Sequence, residues 1–331
     1  MKIVQVVAGK GEGGLERHVL TLSGELAKRH EVLLIAHPSF NAPAGVHIAP
    51  LDLERSRWNP RLLWDVLRTV RRFMPDIVHV HANKAAAIVS HLCPFIPCRT
   101  VATLHNRKSS TRMFGSFDAV IAVSHGAAQS LRRRDVHIIH NGVASQEIAP
   151  ETVADLKKQL KLQPDKPVFA AIGRFVKAKG FDLLLTAWRE IPASLLLVGD
   201  GPERSTLEKL ANGLPVQFLG WRKDVPSIIR AVDGVIISSR REGFPLLASE
   251  VLRAHQLLIS TRVQGIEDIL PSALLVPPDD PLALHNAITT ALNDLQATRE
   301  RCAPAWRYAD AELTIERMTA RVEQVYATLG K

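Results

Sequence analysis

Val168-Phe169-Ala170-Ala171-Ile172 is a short apolar run ending at Gly173-Arg174-Phe175, and Lys179-Gly180 follows just before apolar residues at helical spacing, Phe181, Leu184, Leu185 and Trp188. An apolar run of five closed by turn residues, then apolar positions three and four apart, reads as strand, loop and helix. Loops at the carboxyl ends of parallel strands are where open α/β sheets bind ligands. This loop carries Arg174, a forked donor, and Lys179, a point charge, a combination suited to a diphosphate. In isolation such a pair reads as two solvated loop cations; a second segment changes that reading.

Some sixty residues on, Arg241-Glu242-Gly243-Phe244-Pro245-Leu246-Leu247-Ala248-Ser249-Glu250 sets two carboxylates eight positions apart around a turn that starts a helix. Gly243 lets the backbone approach a ligand closely, and Pro245 has the fixed φ suited to a first helical turn. Leu246, Leu247, Val251 and Leu252 continue the helix. Its first unpaired N–H groups, from Phe244 onward, are expected to face the same diphosphate. Glu242 is placed to accept hydrogen bonds from sugar hydroxyls, and Glu250 to do the same for a ribose. Together these are the parts of a nucleotide-sugar site.

Working outward, the first half alternates short apolar runs (3–7, 32–36, 77–80, 100–104, 119–123, 138–139) with amphipathic stretches (15–28, 62–73). The second half repeats the scheme, with strands near Phe169, Leu196, Val216, Val235, Leu258 and Leu275. Such alternation calls for parallel sheets with helices on both faces, hence two doubly wound domains. Few apolar residues occur between Asn141 and Pro150, which puts the boundary at 145/146. Residues 306–329 carry one long amphipathic pattern. Gly13 and Gly14 follow the first strand and open a helix, but the loop lacks the spaced third glycine. No acidic residue follows the second strand, where His37-Pro38 stands, so a hydride-transfer dinucleotide site is not indicated.

The ordered set of these segments resembles the retaining glycosyltransferases of family 4. Gly11-Glu12-Gly13-Gly14, His105, His140-Asn141-Gly142-Val143, Gly173-Arg174-Phe175 with Lys179-Gly180, Val198-Gly199-Asp200-Gly201-Pro202, Phe218-Leu219-Gly220-Trp221 and Glu242 to Glu250 stand in the family's order across nearly the whole chain. The resemblance implies a GT-B fold: α/β, two doubly wound Rossmann-like domains facing across a cleft, with the final helix (307–331) packing back on the first domain. It implies catalytic roles for His105, Glu242, Arg174 and Lys179. Donor contacts are implied from Gly13, Gly14, Gly173, Arg174, Lys179, Gly220, Gly243, Phe244, Pro245, Leu246, Leu247 and Glu250. The reaction implied is hexosyl transfer, with retention, from a nucleotide-diphosphate sugar to a hydroxyl of a cell-envelope glycan or lipid-linked acceptor. Alternatives of other classes are a nucleotide-sugar epimerase of the same fold and a non-catalytic glycan-binding protein.

Three departures stand out. Asn106 replaces the small or acidic residue that often follows the histidine. His255-Gln256-Leu257-Leu258 stands where the family has a glycine turn and a proline, and Gln264-Gly265-Ile266-Glu267 has one glycine where two are typical.

No cofactor or metal is expected beyond the donor. Cys93, Cys98 and Cys302 read as structural thiols in a reducing compartment. His79 and His81 are read as alternating to opposite faces of a strand and so unable to chelate jointly. The 331 residues carry a formal charge of +9 and no apolar run long enough for a membrane span, which points to the cytoplasm. The charge is uneven: residues 1–150 hold 19 Lys and Arg against 11 Asp and Glu, and the remainder 23 against 22. Arg55, Arg57, Arg61, Arg68, Arg71 and Arg72 read either as solvated helix faces or as a surface for an anionic membrane or phosphorylated glycolipid. Nucleic acid is not an expected partner, because no stacking aromatics are interleaved with these cations and no recognition helix is apparent.

Overall fold

A computed structural model describes residues 1–10, 13–107, 109–144 and 147–330. Gly11 and Glu12 of the first glycine-rich loop, and the expected boundary at 145/146, involve residues outside that set. The chain divides into two compact units, residues 1–142 with 314–331, and residues 143–313.

The first unit contains β1 (Lys2–Val7), α1 (Gly14–Ala27), β2 (Glu31–Ala36), β3 (Val46–Pro50), α2 (Pro60–Phe73), β4 (Ile77–His81), α3 (Ala82–Val89), β5 (Arg99–Leu104), β6 (Ala119–Ala122), α4 (His125–Ala128) and β7 (Val136–Ile138). Its strands form one parallel sheet in the order β3-β2-β1-β4-β5-β6-β7. The central strands are buried on both faces, which is why they read as unbroken apolar runs. β3 is different: it is an edge strand, mostly exposed, and its last residue is Pro50.

The second unit contains α5 (Pro150–Gln159), β8 (Val168–Ile172), α6 (Phe181–Ala187), β9 (Ser194–Val198), α7 (Arg204–Leu210), β10 (Val216–Gly220), α8 (Val225–Ala231), β11 (Gly234–Ile237), α9 (Leu246–Arg253), β12 (Leu257–Thr261), β13 (Leu275–Val276), α10 (Pro281–Asn293) and α11 (Leu295–Glu312). Its sheet is also all parallel, in the order β10-β9-β8-β11-β12-β13. In each sheet the order reverses once, between β1 and β4 and between β8 and β11. The carboxyl ends at such a switch point are the crevice where doubly wound sheets bind ligands.

The long amphipathic pattern at the end of the chain is two helices, not one. α11 stops at Glu312, and Thr314 accepts a hydrogen bond from the Arg317 amide to cap α12 (Ile315–Leu329). The expected boundary at 306/307 therefore moves to 313/314. α11 buries Cys302, Ala305 and Ala309, and packs on α9 and β12 within the second unit. α12 belongs to the first unit, where Met318, Val322, Val325 and Tyr326 join the core formed by Ile3, Leu22 and Ile77. The other crossing falls at Gly142/Val143, three residues before the expected boundary. A Cβ on Gly142 would lie 2.1 Å from the Thr314 carbonyl oxygen, so only glycine fits beside the returning chain.

His255 makes the turn at which the resemblance implies a glycine. His255 adopts φ 52°, stacks on Trp306 and bonds Asp310 at 2.8 Å, so side-chain contacts hold a conformation that ordinarily favours glycine.

Candidate active site

In the second unit the ends of β8 and β11 are brought together through glycines. Gly173 has φ 155° and Gly180 φ 64°. A Cβ on Gly180 would lie 2.1 Å from the Ser238 carbonyl oxygen, and one on Gly199 would lie 1.9 Å from that of Gly173. The loop after β8 is thus pressed against both neighbouring strand ends. The Ser238 hydroxyl donates to the Lys179 carbonyl at 3.0 Å, fixing the backbone that carries Lys179.

The consequence is a direct pairing. Nζ of Lys179 donates to Oε1 of Glu242 at 2.5 Å, and the Ser239 hydroxyl donates to the same oxygen at 2.7 Å. The lysine side chain is 30% exposed and the glutamate 13%. Lys179, Glu242, Ser239, Pro245 and Leu247 line one shallow recess that is open to solvent.

The remaining expected residues are distributed around this pair. Arg174 is exposed, and its guanidinium bonds no described residue. Leu246 and Leu247 are half-buried in the first turn of α9, which begins at Leu246; Pro245, expected inside the first turn, is instead the residue that precedes it, with ψ 124°. The Phe244 ring is buried and turned into the fold, where a Cβ on Gly265 would meet it at 2.4 Å. The single glycine at 265 is therefore the one this packing requires. Gly243 is buried, and Glu250 is half-buried on α9. Gly220 closes β10 with φ 68° and accepts the Gly199 amide at 2.8 Å.

Sequence reasoning missed Arg240. It forms two parallel bonds to Asp182, at 2.7 and 2.8 Å, and others to Asp279 and to the Lys177 carbonyl, at 2.6 and 2.8 Å. The guanidinium ties the segment before Glu242 to the segment that carries Lys179. Beside it the Asp182 carboxyl is held below its usual range. Nothing in the pair Arg240-Arg241 distinguishes the anchoring arginine from its exposed neighbour.

In the first unit, Gly13 precedes α1 in extended conformation and Gly14 is its first residue; both are exposed. His105 stands just beyond β5 and is half-buried. It lies in a cluster of histidines. His81 Nδ1 is 3.2 Å from His105 Nε2, and His81 Nε2 is 2.6 Å from Gln5 Oε1. Gln5 Nε2 donates to the Tyr326 hydroxyl at 3.2 Å, and His79 bridges that hydroxyl and Thr103, 2.6 Å from each. The expectation for His79 and His81 was wrong: residues two apart in a strand share a face, and the two rings lie 4.2 Å apart. Ala82, directly after His81, has φ 63°, a conformation uncommon for a residue with a Cβ. Burial pushes His18 down to about 4 and His79 to about 3, and holds His81 and His105 well below the ordinary value, with neighbouring histidines adding. All four are neutral at pH 7.

Two doubly wound parallel sheets, each with polar side chains at its switch point, are the architecture of the GT-B class. A family model described as "Glycosyltransferase Family 4" matches residues 12–147, and one described as "Glycosyl transferases group 1" matches residues 166–294. The chain belongs to this glycosyltransferase family. It is 28% identical over 320 residues to the lipopolysaccharide core biosynthesis glycosyltransferase LpsD of Rhizobium meliloti, covering 91% of this chain and 90% of that protein. It is 24% identical over 328 residues to the N-acetyl-alpha-D-glucosaminyl L-malate synthase of Bacillus anthracis, covering 90% and 83%. Among solved structures, Anabaena HepE in complex with UDP-glucose is similar with a TM-score of 0.86 at 18% identity, covering 99% and 100%. WaaG, a glycosyltransferase involved in lipopolysaccharide biosynthesis, is similar with a TM-score of 0.75 at 15% identity, covering 99% of each chain. These likenesses establish the fold.

Proposed function

We propose that the chain transfers a hexose, with retention of anomeric configuration, from a nucleotide-diphosphate sugar to a hydroxyl of a cell-envelope glycan or lipid-linked acceptor. The observation that carries this is the Lys179–Glu242 pair at the β8/β11 switch point, beside the first turn of α9. Lys179, Arg174 and the α9 amide groups meet the charge that grows on the departing diphosphate, which is stabilisation where charge develops. Glu242 holds hydroxyls of the donor ring, and Glu250 those of the ribose. The acceptor hydroxyl enters on the face that the diphosphate leaves, and a departing phosphate oxygen takes its proton. Positive side chains do the work of a divalent ion, so transfer is metal-independent. His105 takes the role that the family resemblance implies, against the transferred sugar.

The names of relatives such as LpsD support an acceptor from lipopolysaccharide or polysaccharide synthesis. A surface feature of the first unit supports a lipid-linked one. α2 buries Leu62, Val66 and Val70. Its opposite side exposes Arg61, Trp64, Arg68 and Arg72, with Trp58 exposed just ahead of it. Trp58 and Trp64 stand among these arginines, so the expectation that no aromatics are interleaved with them was wrong, and cations beside exposed tryptophan suit an anionic bilayer surface. Among the described residues no helix is long and apolar enough to cross a membrane.

The test is a panel of UDP-, GDP- and ADP-sugars offered to the chelator-treated protein, first for donor hydrolysis and then for transfer to lipooligosaccharide. The anomeric configuration of the product is read by NMR. An inverted product sinks the retaining mechanism, and donor isomerisation without acceptor favours an epimerase.

A further inference from the structure

The histidine cluster of the first unit contains more than a neighbour for His105. His18 on α1, His81 at the end of β4 and His105 beyond β5 each present one ring nitrogen, and these three atoms lie within 4.8 Å of one another. The ring centroids are 4.7 Å apart for His18–His105, 5.4 Å for His81–His105 and 5.8 Å for His18–His81. Three imidazoles radiating from one tetrahedral ion at Zn–N distances of about 2.0–2.1 Å have centroids roughly 5 Å apart and nitrogens roughly 3.3 Å apart. The 3.2 Å separation of His81 Nδ1 and His105 Nε2 is already that of two ligands on one ion.

Two further observations point the same way. His18 is 6% exposed, and its Nδ1 has no hydrogen-bond partner, an unusual state for a buried polar atom. His81 Nε2 faces Gln5 Oε1, which can only accept, so the proton sits on Nε2 and the Nδ1 lone pair points at His105. A ligating histidine whose second nitrogen donates to a fixed oxygen is the usual outer-shell arrangement of zinc sites. Gln5 is itself held by Tyr326.

We infer that His18, His81 and His105 form a three-imidazole site for a borderline divalent cation of the Zn²⁺ class, with the fourth position open to water. His105 gives its Nε2 lone pair to the ion by shifting its proton to Nδ1, so no charge or proton is lost from the site. Occupancy ties His105 to the ion, and on the functional reading above it therefore inhibits transfer. That consequence rests on the proposed role of His105; the site itself does not.

The experiment is titration of the chelator-stripped full chain with Co²⁺, followed by visible spectroscopy, with Zn²⁺ added as competitor. The expected result is one equivalent per chain with the strong absorption of four-coordinate Co²⁺, abolished by Zn²⁺. His18→Ala, with its fold checked by circular dichroism, weakens binding at least about tenfold, and Gln5→Leu, which removes no ligand, weakens it roughly 10- to 100-fold. Should His18→Ala fail to fold, Gln5→Leu and the wild-type stoichiometry carry the test. Absent four-coordinate absorption, several weak equivalents, or a spectrum untouched by His18→Ala means an adventitious ion only, and overturns the inference. Stripped protein inactive with every donor while the Co²⁺ spectrum persists counts against glycosyl transfer and supports the site.

Discussion

Nζ of Lys179 and Oε1 of Glu242 are 2.5 Å apart, although the family resemblance assigns one to a diphosphate and the other to a sugar. Each is the other's partner, and the Ser239 hydroxyl keeps the glutamate in place. On the proposed function, donor phosphates and hydroxyls would replace this direct contact while Ser239 keeps the carboxylate oriented. Lys179→Met is expected to lower kcat by about 10²- to 10³-fold, the usual loss for one preorganised donor. Glu242→Gln keeps a hydrogen-bonding side chain without the charge and should fall by a similar factor. Steady-state kinetics with the best donor checks both, and full activity in either removes the site assignment.

Arg240 predicts a different signature, because it reaches the site only through the backbone it holds. Arg240→Leu breaks the parallel bonds to Asp182 and leaves that half-exposed carboxylate without its cation. The donor KM is expected to rise more than kcat falls. The folded-state pKa of Asp182 is depressed below the ordinary 3.8, chiefly by its hydrogen bonds to Arg240. A depressed carboxylate contributes stability that is present above its unfolded pKa and is lost as pH falls through the folded one. The stability gap between wild type and variant should therefore be full at neutral pH and close below about pH 4. Urea melts at neutral pH, at about pH 4 and at about pH 2.5 test this, and a gap that widens in acid is the wrong sign.

The glycines at the strand ends give a prediction that separates crowding from backbone conformation. Gly199→Ala sets a Cβ 1.9 Å from a carbonyl oxygen at φ 135°, whereas Gly213→Ala keeps φ 79° but meets nothing within 4 Å. The second change is expected to cost about 1 to 2 kcal/mol, the left-handed penalty alone. The first must move backbone and should cost more than about 3 kcal/mol. Thermal denaturation of the two proteins decides it, with equal losses ruling out the close approach.

Much of this architecture is legible in the sequence, and the parts that are not have definite causes. The inner strands of both sheets are buried on both faces, so Val168–Ile172 and Ile77–Val80 appear as plain apolar runs. β3 has no such signal, because an exposed edge strand lacks a buried stripe. The break at Thr314 was hidden because apolar spacing continues across it while the two helices pack on different units. Lys179 and Glu242 were recognisable by motif, but their mutual bond depends on two loops 63 positions apart. The histidine cluster gathers residues from α1, β4 and the end of β5, with Gln5 and Tyr326 321 positions apart, and no local pattern announces it.

Tyr326 ties the last helix to that cluster. Its ring is 1% exposed within the core of the first unit, and its hydroxyl contacts both Gln5 and His79. Tyr326→Phe keeps the packing and strands two buried polar groups, at an expected cost of about 1 to 3 kcal/mol. Ending the chain at Leu313 also removes Met318, Val322 and Val325, each worth about 1.5 to 3 kcal/mol when fully buried. The first unit should then fail to fold. Chemical denaturation measures the first change, and hydrogen exchange of residues 1–142 in the truncated chain measures the second; protection at the wild-type level in 1–142 would falsify the role given to α12.

Arginine on the outer side of α2 has an ordinary explanation as solvated charge, but exposed tryptophan among it does not. Trp58 is 64% and Trp64 63% exposed, each close in sequence to Arg57, Arg61 and Arg68. Tryptophan at the headgroup level and about 1 kcal/mol per nearby cation make contact with anionic lipid favourable and salt-sensitive. Co-sedimentation with vesicles containing phosphatidylglycerol is expected for the wild type at low salt. It should be lost in Trp58→Ala/Trp64→Ala, and weaken steeply as ionic strength rises. Neutral phosphatidylcholine vesicles should retain little protein. Equal binding to both vesicle types removes the electrostatic half of the proposal. Undiminished binding by the double variant removes the aromatic half, and α2 is then an ordinary charged helix face.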